Sequence, residues 1–170
     1  MRRRSGTAAS SISACWSILA LLLVAAVSHA TDAAPRTGPP SAAGLERDIF
    51  DHVNRHRTAH GLPALTLDPR ISREAQRHSA AMAAGSTPFG HAGFPDRVAA
   101  LRRVMSCGGS AENVASSLGH AEPAPEIVRG WLASRDHRTN IEGHYERTGI
   151  GIARSRTGKV YVTQIFVEEP

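Results

Sequence analysis

Apolar residues recur every three or four positions in four stretches of the chain, and each stretch predicts an amphipathic helix. The predicted helices cover residues 44–60, 69–84, 96–104 and 125–135. The first pattern ends at Gly61-Leu62-Pro63, where glycine and proline stop a helix. The second begins with Asp68 as the N-cap and Pro69 at the first helical position, an arrangement typical of helix starts.

The last part of the chain has the alternating and β-branched composition of paired strands. Residues 148–153 and 160–167 flank a polar segment that contains Gly158, so they predict a β-hairpin. The region 86–121 is richer in glycine and less regular, and no strand is predicted there. Helices first and paired strands last describe an α+β domain in which helices cover an antiparallel sheet.

Residues 1–30 have the three parts of a secretory signal peptide. Three arginines near the start are followed by an apolar run over 16–27 and by small residues that end at Ala30. That run is shorter than the roughly 20 residues needed to span a bilayer, so we expect cleavage and no stable transmembrane anchor. An uncleaved N-terminal anchor is the alternative. Residues 31–43 are rich in proline and small residues and predict a flexible linker before a domain at 44–170.

Charge and cysteine content exclude two classes of protein. The formal net charge of +5 falls to +2 without the three arginines of the predicted signal peptide, and 5% of residues are aromatic, so we expect no nucleic-acid binding. After cleavage Cys107 is the one remaining cysteine, which excludes a disulfide-stabilised scaffold. We interpret Cys107 as a small apolar residue that is at least partly buried.

The chain has nine histidines, and most have a structural interpretation. His52, His56 and His60 are spaced by four and share one helix face, a spacing that can hold a metal ion. Because that face also carries apolar residues, we interpret them as boundary or core histidines. His78 lies on the apolar stripe of its helix and has the same interpretation, whereas His120 lies among small residues with no neighbouring chemistry.

Four residues are candidates for chemistry because they fall in predicted loops or at helix ends, among small and turn-forming residues. They are His91, Glu112, His137 and His144. Imidazole and carboxylate groups suit zinc and similar divalent ions, and a histidine with a glutamate can equally serve as acid and base. Spacing alone leaves two alternatives open: the side chains converge on one site, or they are solvated loop residues and helix caps.

Six short motifs occur in order along the domain. They are Val53-Asn54-Arg-His-Arg57 with Gly61-Leu-Pro-Ala-Leu65, then Gly90-His91-Ala-Gly93, then Ala111-Glu112-Asn113, then Trp131-Leu-Ala-Ser134, then Asp136-His137-Arg-Thr-Asn140-Ile141, and finally Gly149-Ile-Gly151 with Tyr161-Val-Thr-Gln164-Ile-Phe166. Over residues 44–168 the chain therefore resembles the CAP superfamily of cysteine-rich secretory, antigen 5 and pathogenesis-related proteins, in its bacterial SCP-like form. The resemblance implies a three-layer α-β-α sandwich, with helices flanking a central antiparallel sheet. It also implies an open cleft with a His-Glu-Glu-His tetrad that binds a divalent cation in some members.

The tetrad is incomplete in this chain. His91 and Glu112 match its first histidine and first glutamate, while Ser134 stands where animal and plant members have the second glutamate. Bacterial members have a histidine before Arg-x-Asn-Ile, which is His137 here, and His144 is the alternative last member. The resemblance thus implies that His91, Glu112 and His137 hold a divalent cation, with zinc as the candidate and one position left open.

For function, the resemblance implies a module that displays its cleft to bind a divalent cation, a lipid or sterol, or a cell-envelope partner without a defined reaction. The predicted signal peptide implies secretion, and we expect a monomer. The alternative is a zinc-dependent, protease-like hydrolase in which His91 and His137 hold the metal and Glu112 acts as general base. Other residues of the motifs have structural interpretations. Trp131, Tyr161 and Phe166 are expected in the core, and Asn54, Arg57 and Asn140 are expected to hold helices to neighbouring loops.

Overall fold

The computed structural model describes residues 40–169, so the predicted signal peptide and residues 31–39 of the predicted linker lie outside the described residues. In chain order the elements are α1 (Ala42–Ala59), β1 (Thr66–Leu67), α2 (Pro69–Ala84), α3 (Phe94–Arg102), β2 (Ser110–Ser117), α4 (Pro123–Ala133), α5 (Arg135–Glu142), β3 (Arg147–Arg154) and β4 (Val160–Val167). None of the helices within 40–169 is long and apolar enough to cross a bilayer.

The four strands form one sheet in the order β1-β3-β4-β2. Strand β4 pairs antiparallel with β3 on one side and with β2 on the other, while the short β1 runs parallel to β3. Helices α1, α4 and α5 cover one face of the sheet, and α2 and α3 cover the other. The predicted three-layer α-β-α sandwich is therefore confirmed, with one correction: β1 makes the sheet mixed instead of purely antiparallel.

Strand β4 divides its side chains between two hydrophobic cores. Val162 and Phe166 pack with α1 and α4, whereas Ile165 and Val167 pack with α2. Successive side chains of a strand point to opposite faces, so one strand serves both layers. Cys107 packs against the second core, as expected.

Two of the three aromatic residues expected in the core are buried there. Trp131 of α4 is 2% exposed, and its Nε1 donates to the main-chain oxygen of Val114 at 3.2 Å. Phe166 is fully buried. Tyr161 corrects the expectation, because it is only partly buried and its ring lies 6.3 Å from that of the exposed Phe89.

Helix α1 begins two residues before the predicted start. Ser41 is its N-cap, and the side chain accepts the N–H of Gly44 at 3.1 Å, so the last two residues of the predicted linker are helical. At its other end Asn54 exchanges two hydrogen bonds with the main chain of Leu65, at 2.8 and 3.0 Å. The expected role of Asn54 in holding the helix to the next loop is confirmed.

Helix α2 lies directly on the backbone of β3. A Cβ at Gly151 would overlap the main chain of Ala75 and Gln76, and one at Gly149 would overlap the start of the same helix. The side chain of Gln76 donates to the main-chain oxygen of Ile152 at 3.0 Å and accepts its N–H at 2.8 Å. The two glycines of the Gly-x-Gly motif are therefore needed for close packing.

Two elements differ from the sequence prediction. Strand β2 was not predicted because its sequence consists mostly of small and polar residues, yet all eight of its residues pair with β4. Helix α5 was not predicted either, because the last predicted helix, 125–135, corresponds to α4 alone. Ser134 between the two helices has extended backbone angles (φ −87°, ψ 126°), which end α4.

Candidate functional site

Three of the four candidate residues meet beside the edge strand β2. His91 lies in the loop between α2 and α3, Glu112 lies on β2, and His137 lies in the first turn of α5. Glu112 is thus on a strand and not in the predicted loop. Because β2 is at the edge of the sheet, residues from the helical layers on both faces reach it.

A buried ion pair fixes the carboxylate of Glu112. Arg97 of α3 binds both carboxylate oxygens: Nε donates to Oε2 and Nη2 donates to Oε1, both at 2.8 Å. The side chain of Arg97 is 10% exposed and that of Glu112 is 1% exposed. Parallel charge-assisted hydrogen bonds of this kind are among the strongest polar contacts in proteins. The carboxylate is therefore held in one orientation.

His91 binds the same carboxylate from the solvent side. Its Nδ1 lies 3.0 Å from Glu112 Oε1, and its side chain is 51% exposed. A carboxylate paired with a guanidinium only accepts hydrogen bonds, so Nδ1 carries the proton in this contact. In the neutral ring Nε2 then holds a lone pair, and no hydrogen bond within residues 40–169 uses that nitrogen.

The loop that carries His91 is anchored on both sides of the residue. His78 of α2 is 5% exposed, and its Nε2 donates to the main-chain oxygen of Gly90 at 2.8 Å. Arg97 Nη1 donates to the main-chain oxygen of Ala92 at 2.8 Å. These bonds hold the backbone around His91, and the buried position of His78 confirms its structural interpretation.

Two asparagines hold α5 against β2. Asn113 is fully buried, and its Nδ2 donates to the main-chain oxygen of His137 at 3.1 Å. The Nδ2 of Asn140 donates to the main-chain oxygen of Glu112 at 3.2 Å and to Asn113 Oδ1 at 2.9 Å. The expected role of Asn140 is confirmed, and this network fixes the helix turn that carries His137.

The imidazoles of His91 and His137 are neighbours beside Glu112. Their ring centroids are 6.3 Å apart and their planes are inclined by 45°. Burial lowers the pKa of His137, and the nearby His91 lowers it further, while Asp136 acts in the opposite direction. The lowered pKa favours a neutral His137, in which one ring nitrogen is a free electron-pair donor.

Comparison with known proteins identifies the family of this fold. The sequence model described as "CAP: Cysteine-rich secretory protein family" matches residues 50–166, which is more than half of the chain. The chain belongs to the cysteine-rich secretory protein (CAP) family. A search of curated proteins found no match.

Solved structures share the fold of this CAP domain. An outer surface protein from Borrelia burgdorferi is 14% identical, with a TM-score of 0.66 over 79% of this chain and 100% of that one. An extracellular protein containing a SCP domain from Bacillus anthracis is 26% identical, with a TM-score of 0.60 over 78% of this chain and 45% of that one. A cysteine-rich secretory protein from Staphylococcus aureus is 17% identical, with a TM-score of 0.61 over 79% of this chain and 42% of that one. The chain thus spans less than half the length of the last two proteins.

The CAP domain does not bring His144 to the other three candidates. His144 is exposed in the loop after α5, and its side chain makes no hydrogen bond or ion pair among the described residues. That loop is tied to the end of α1, where Arg57 donates to the main-chain oxygens of Gly143 and Tyr145. Ser134, at the position of the missing second glutamate, lies between α4 and α5 and supplies no carboxylate.

The remaining histidines of residues 40–169 lie at the surface or at its boundary. His52 and His56 are half-buried on α1, and His60 is exposed at its end. His56 Nε2 lies 2.9 Å from Glu142 Oε1, and its ring lies 4.0 Å from that of His60. The boundary interpretation is therefore confirmed for His52 and His56. His120 has a partner that the sequence did not predict, a carboxylate oxygen of α4 at 3.2 Å.

Of the three predicted metal ligands, Glu112 is already engaged, which leaves the two imidazoles as candidate donors. Oε1 accepts hydrogen bonds from Arg97 and His91, and Oε2 accepts one from Arg97. Within residues 40–169 no group of three or more His, Cys, Asp or Glu side chains is arranged to hold a metal ion. Sequence reasoning missed Arg97, because a single arginine on a short predicted helix carries no motif signal.

Proposed function

We propose that this CAP domain is a non-enzymatic, extracellular binding module whose cleft takes a divalent cation between His91 and His137. The observation that supports the proposal is the contact between His91 Nδ1 and Glu112 Oε1 at 3.0 Å. Histidines that bind metals commonly donate their second ring N–H to a carboxylate, which fixes the tautomer and the ring orientation. Glu112 has that supporting position, behind His91 and not beside the ion.

The two imidazoles favour zinc or a similar borderline cation. Neutral imidazole suits zinc, copper and nickel, and the lowered pKa of His137 favours its neutral form. A tetrahedral ion with two protein ligands has about two coordination positions left for other groups. In this proposal an oxygen or nitrogen group of a cell-envelope partner fills the open positions, so the ion links the domain to its partner.

Secretion is part of the same proposal. It rests on the signal peptide predicted at residues 1–30, which lies outside the described residues. The similar protein from Bacillus anthracis is described as extracellular.

The hydrolase alternative has no comparable support. A general base must accept a proton from the attacking water. Both oxygens of Glu112 already accept hydrogen bonds, from Arg97 and His91, and its side chain is 1% exposed. Water therefore lacks access to a free carboxylate oxygen.

Isothermal titration calorimetry with zinc chloride tests the proposal. The wild-type domain should bind one ion, and His91→Ala and His137→Ala should each lose at least about tenfold in affinity. His144→Ala is the matched control, because this exposed histidine lies apart from the cleft, and it should bind like the wild type. Absence of zinc binding by the wild type, or unchanged binding in both cleft variants, would contradict the proposal.

The same protein samples separate the two functions. Peptide and ester substrates should not be turned over by the zinc-loaded wild type beyond the background rate. Zinc-dependent turnover that disappears in Glu112→Gln would support the hydrolase and overturn the non-enzymatic module.

A further inference from the structure

An open groove lies between the last turns of α2 and the turn that joins β3 to β4. Its volume is about 700 Å³, which is within the usual range for ligand sites. The α2 side of the groove consists mainly of alanine side chains, and the hairpin supplies Arg154, Ser155, Arg156, Thr157 and Tyr161. Among the described residues that line the groove, none is acidic.

The hairpin concentrates positive charge at its turn. Strands β3 and β4 and the residues between them contain four basic residues and no acidic one. Three of the four are at the turn, namely Arg154, Arg156 and Lys159. The nearest acidic residues along the chain, Glu146 and Glu168, lie at the other end of the hairpin. The charge distribution therefore attracts anions to the turn.

The turn is held by its own hydrogen bonds, while one of its guanidinium groups is unpaired. Gly158 has a positive φ of 81°, and its N–H donates to the main-chain oxygen of Ser155 at 3.0 Å. Arg154 Nη2 donates to the main-chain oxygen of Pro40 at 3.2 Å. Arg156 is exposed, and its side chain makes no hydrogen bond or ion pair within residues 40–169. The groove is thus preformed and offers free donors to an anion.

Two aromatic rings lie beside these cations. The ring of Tyr161, which lines the groove, is 6.3 Å from the ring of Phe89 and 5.4 Å from Lys159 Nζ. Phe89 is 55% exposed. An exposed aromatic ring is a flat apolar surface. Sugar rings have apolar C–H faces that can pack on such a surface, whereas inorganic phosphate chains have none.

The shape of the site and its charge together favour one class of partner. Guanidinium groups bind carboxylates through parallel, charge-assisted hydrogen bonds. A bilayer surface is flat and cannot enter a groove, whereas a single polymer chain can. We infer that the groove binds an acidic polysaccharide, with Arg154 and Arg156 on its carboxylates and a sugar ring packed on Phe89.

This site is separate from the cleft. None of its lining residues belongs to the cleft. On β2, Ser116 pairs with Tyr161 and lies four residues from Glu112, a distance of about 13 Å along a strand. The inference therefore goes beyond the proposed function and does not depend on a bound cation.

The test is isothermal titration calorimetry of residues 31–170, the predicted secreted form, with hexagalacturonate, a chain of sugar rings that each carry a carboxylate. The wild type should bind this chain, and its affinity should fall as the salt concentration rises. Maltohexaose, an uncharged chain of the same length, should bind at least about tenfold more weakly, because both charge pairs are lost. No binding of hexagalacturonate by the wild type would overturn the inference.

Two variants locate the binding site. An exposed charge pair contributes up to about fivefold in affinity, so Arg154→Ala combined with Arg156→Ala should lose about 10- to 25-fold. Phe89→Ala should lose about 2- to 10-fold, because the sugar loses its aromatic contact. All three residues are exposed, so the variants should keep the far-UV circular dichroism of the wild type.

Arg103→Ala combined with Arg129→Ala is the matched control, since it removes the same net charge. Arg103 follows α3 and Arg129 lies on α4 in the opposite helical layer. Both are exposed, and neither side chain makes a hydrogen bond or ion pair in the part of the chain that the structure describes. The control should bind hexagalacturonate like the wild type. An equal loss in both double variants would overturn the inference, because net charge alone would explain the binding.

Two other partners are tested with the same proteins. Linear polyphosphate should bind more weakly than hexagalacturonate and should be insensitive to Phe89→Ala. Vesicles of phosphatidylglycerol should not sediment the wild type at about 0.15 M salt, where exposed charges are largely screened. Tighter binding of polyphosphate would overturn the inference in favour of a phosphate polymer. Sedimentation with the vesicles that is lost without Arg154 and Arg156 would overturn it in favour of a membrane surface.

The inference and the proposed function fail in different ways. His137→Ala should bind hexagalacturonate like the wild type, and the variant without Arg154 and Arg156 should bind zinc like the wild type. If the wild type binds zinc but no hexagalacturonate, the role of the groove is overturned and the proposed function stands. If it binds hexagalacturonate through the two arginines but no zinc, the proposed function is overturned and the role of the groove stands.

Discussion

Replacing Arg57 by methionine should strongly destabilise the domain, because four main-chain oxygens would each lose a hydrogen bond from its guanidinium, and of these Gly143 would keep a bond from the N–H of Tyr145 at 3.0 Å. Arg57 is 1% exposed on α1, and its guanidinium ties the end of this helix to two loops at distances of 2.7–3.2 Å. The four acceptors are the main-chain oxygens of Pro63, Ile141, Gly143 and Tyr145. Burial lowers the pKa of Arg57, with the charge of Glu146 acting in the opposite direction.

The size of the expected loss of stability in Arg57→Met follows from the hydrogen bonds of Arg57 and from how buried their acceptors are. A hydrogen bond to a charged group contributes about 1.5–3 kcal/mol, and a buried acceptor left without a donor costs a similar amount. The loss should be smaller than four such bonds, because Gly143 and Tyr145 are only half-buried and water can reach their oxygens. We expect the free energy of unfolding to fall by about 3–5 kcal/mol, as when one partner of a buried charged interaction is removed.

Urea unfolding, followed by far-UV circular dichroism and by tryptophan fluorescence, measures this change. Arg57→Lys should lose less stability than Arg57→Met, since a single ammonium can still bind some of the four oxygens. Arg55→Met, on the exposed side of the same helix, is the control and should change the free energy of unfolding by less than about 0.5 kcal/mol. A loss below about 1 kcal/mol in Arg57→Met, with an unchanged m value, would refute the reasoning.

Close packing and pH dependence give two further predictions. Gly151→Ala should lower the free energy of unfolding by about 1–3 kcal/mol, because the added Cβ would overlap the backbone of α2. Gly130→Ala is the control, because a Cβ there lies in open space on α4, and it should raise the free energy of unfolding by about 0.5–1 kcal/mol. If urea unfolding shows the same change for both variants, α2 does not pack closely against Gly151. The side-chain hydrogen bonds from Arg70 lower the pKa of Asp68 from 3.8 to about 2. This stabilisation of about 2 kcal/mol is present above about pH 4 and is lost as the pH falls towards about 2, because the unfolded carboxyl takes up its proton first. Asp68→Asn should lack this loss. If the free energies of unfolding of the wild type and of Asp68→Asn fall in parallel from pH 5 to pH 2, the loss does not come from Asp68.

Much of the fold was predictable because local signals agreed with the tertiary structure. The four-residue spacing of Leu45, Ile49 and Val53 marks the buried face of α1, and Asp68-Pro69 marks the start of α2. Strand β2 was not predictable, because its small and polar residues form a strand only through pairing with β4. Helix α5 was not predictable, because Ile141 is its one buried residue and no apolar periodicity marks it.

The candidate site was predictable in part, for a similar reason. His91, Glu112 and His137 occur in short motifs, and the structure brings them together at the edge of the sheet. The residues that hold them could not be found in this way. Arg97 is 15 positions from Glu112, and Asn113 is 24 positions from His137, so these contacts depend on how the layers pack and not on any local pattern.

The most direct test of the central claim is a crystal structure of the domain grown with zinc, with the ion located by its anomalous scattering. We expect an ion about 2.0–2.1 Å from a ring nitrogen of both His91 and His137, with Glu112 still bound to Arg97. An ion held by Glu112 with Arg97 displaced, or a cleft without an ion at saturating zinc, would contradict it.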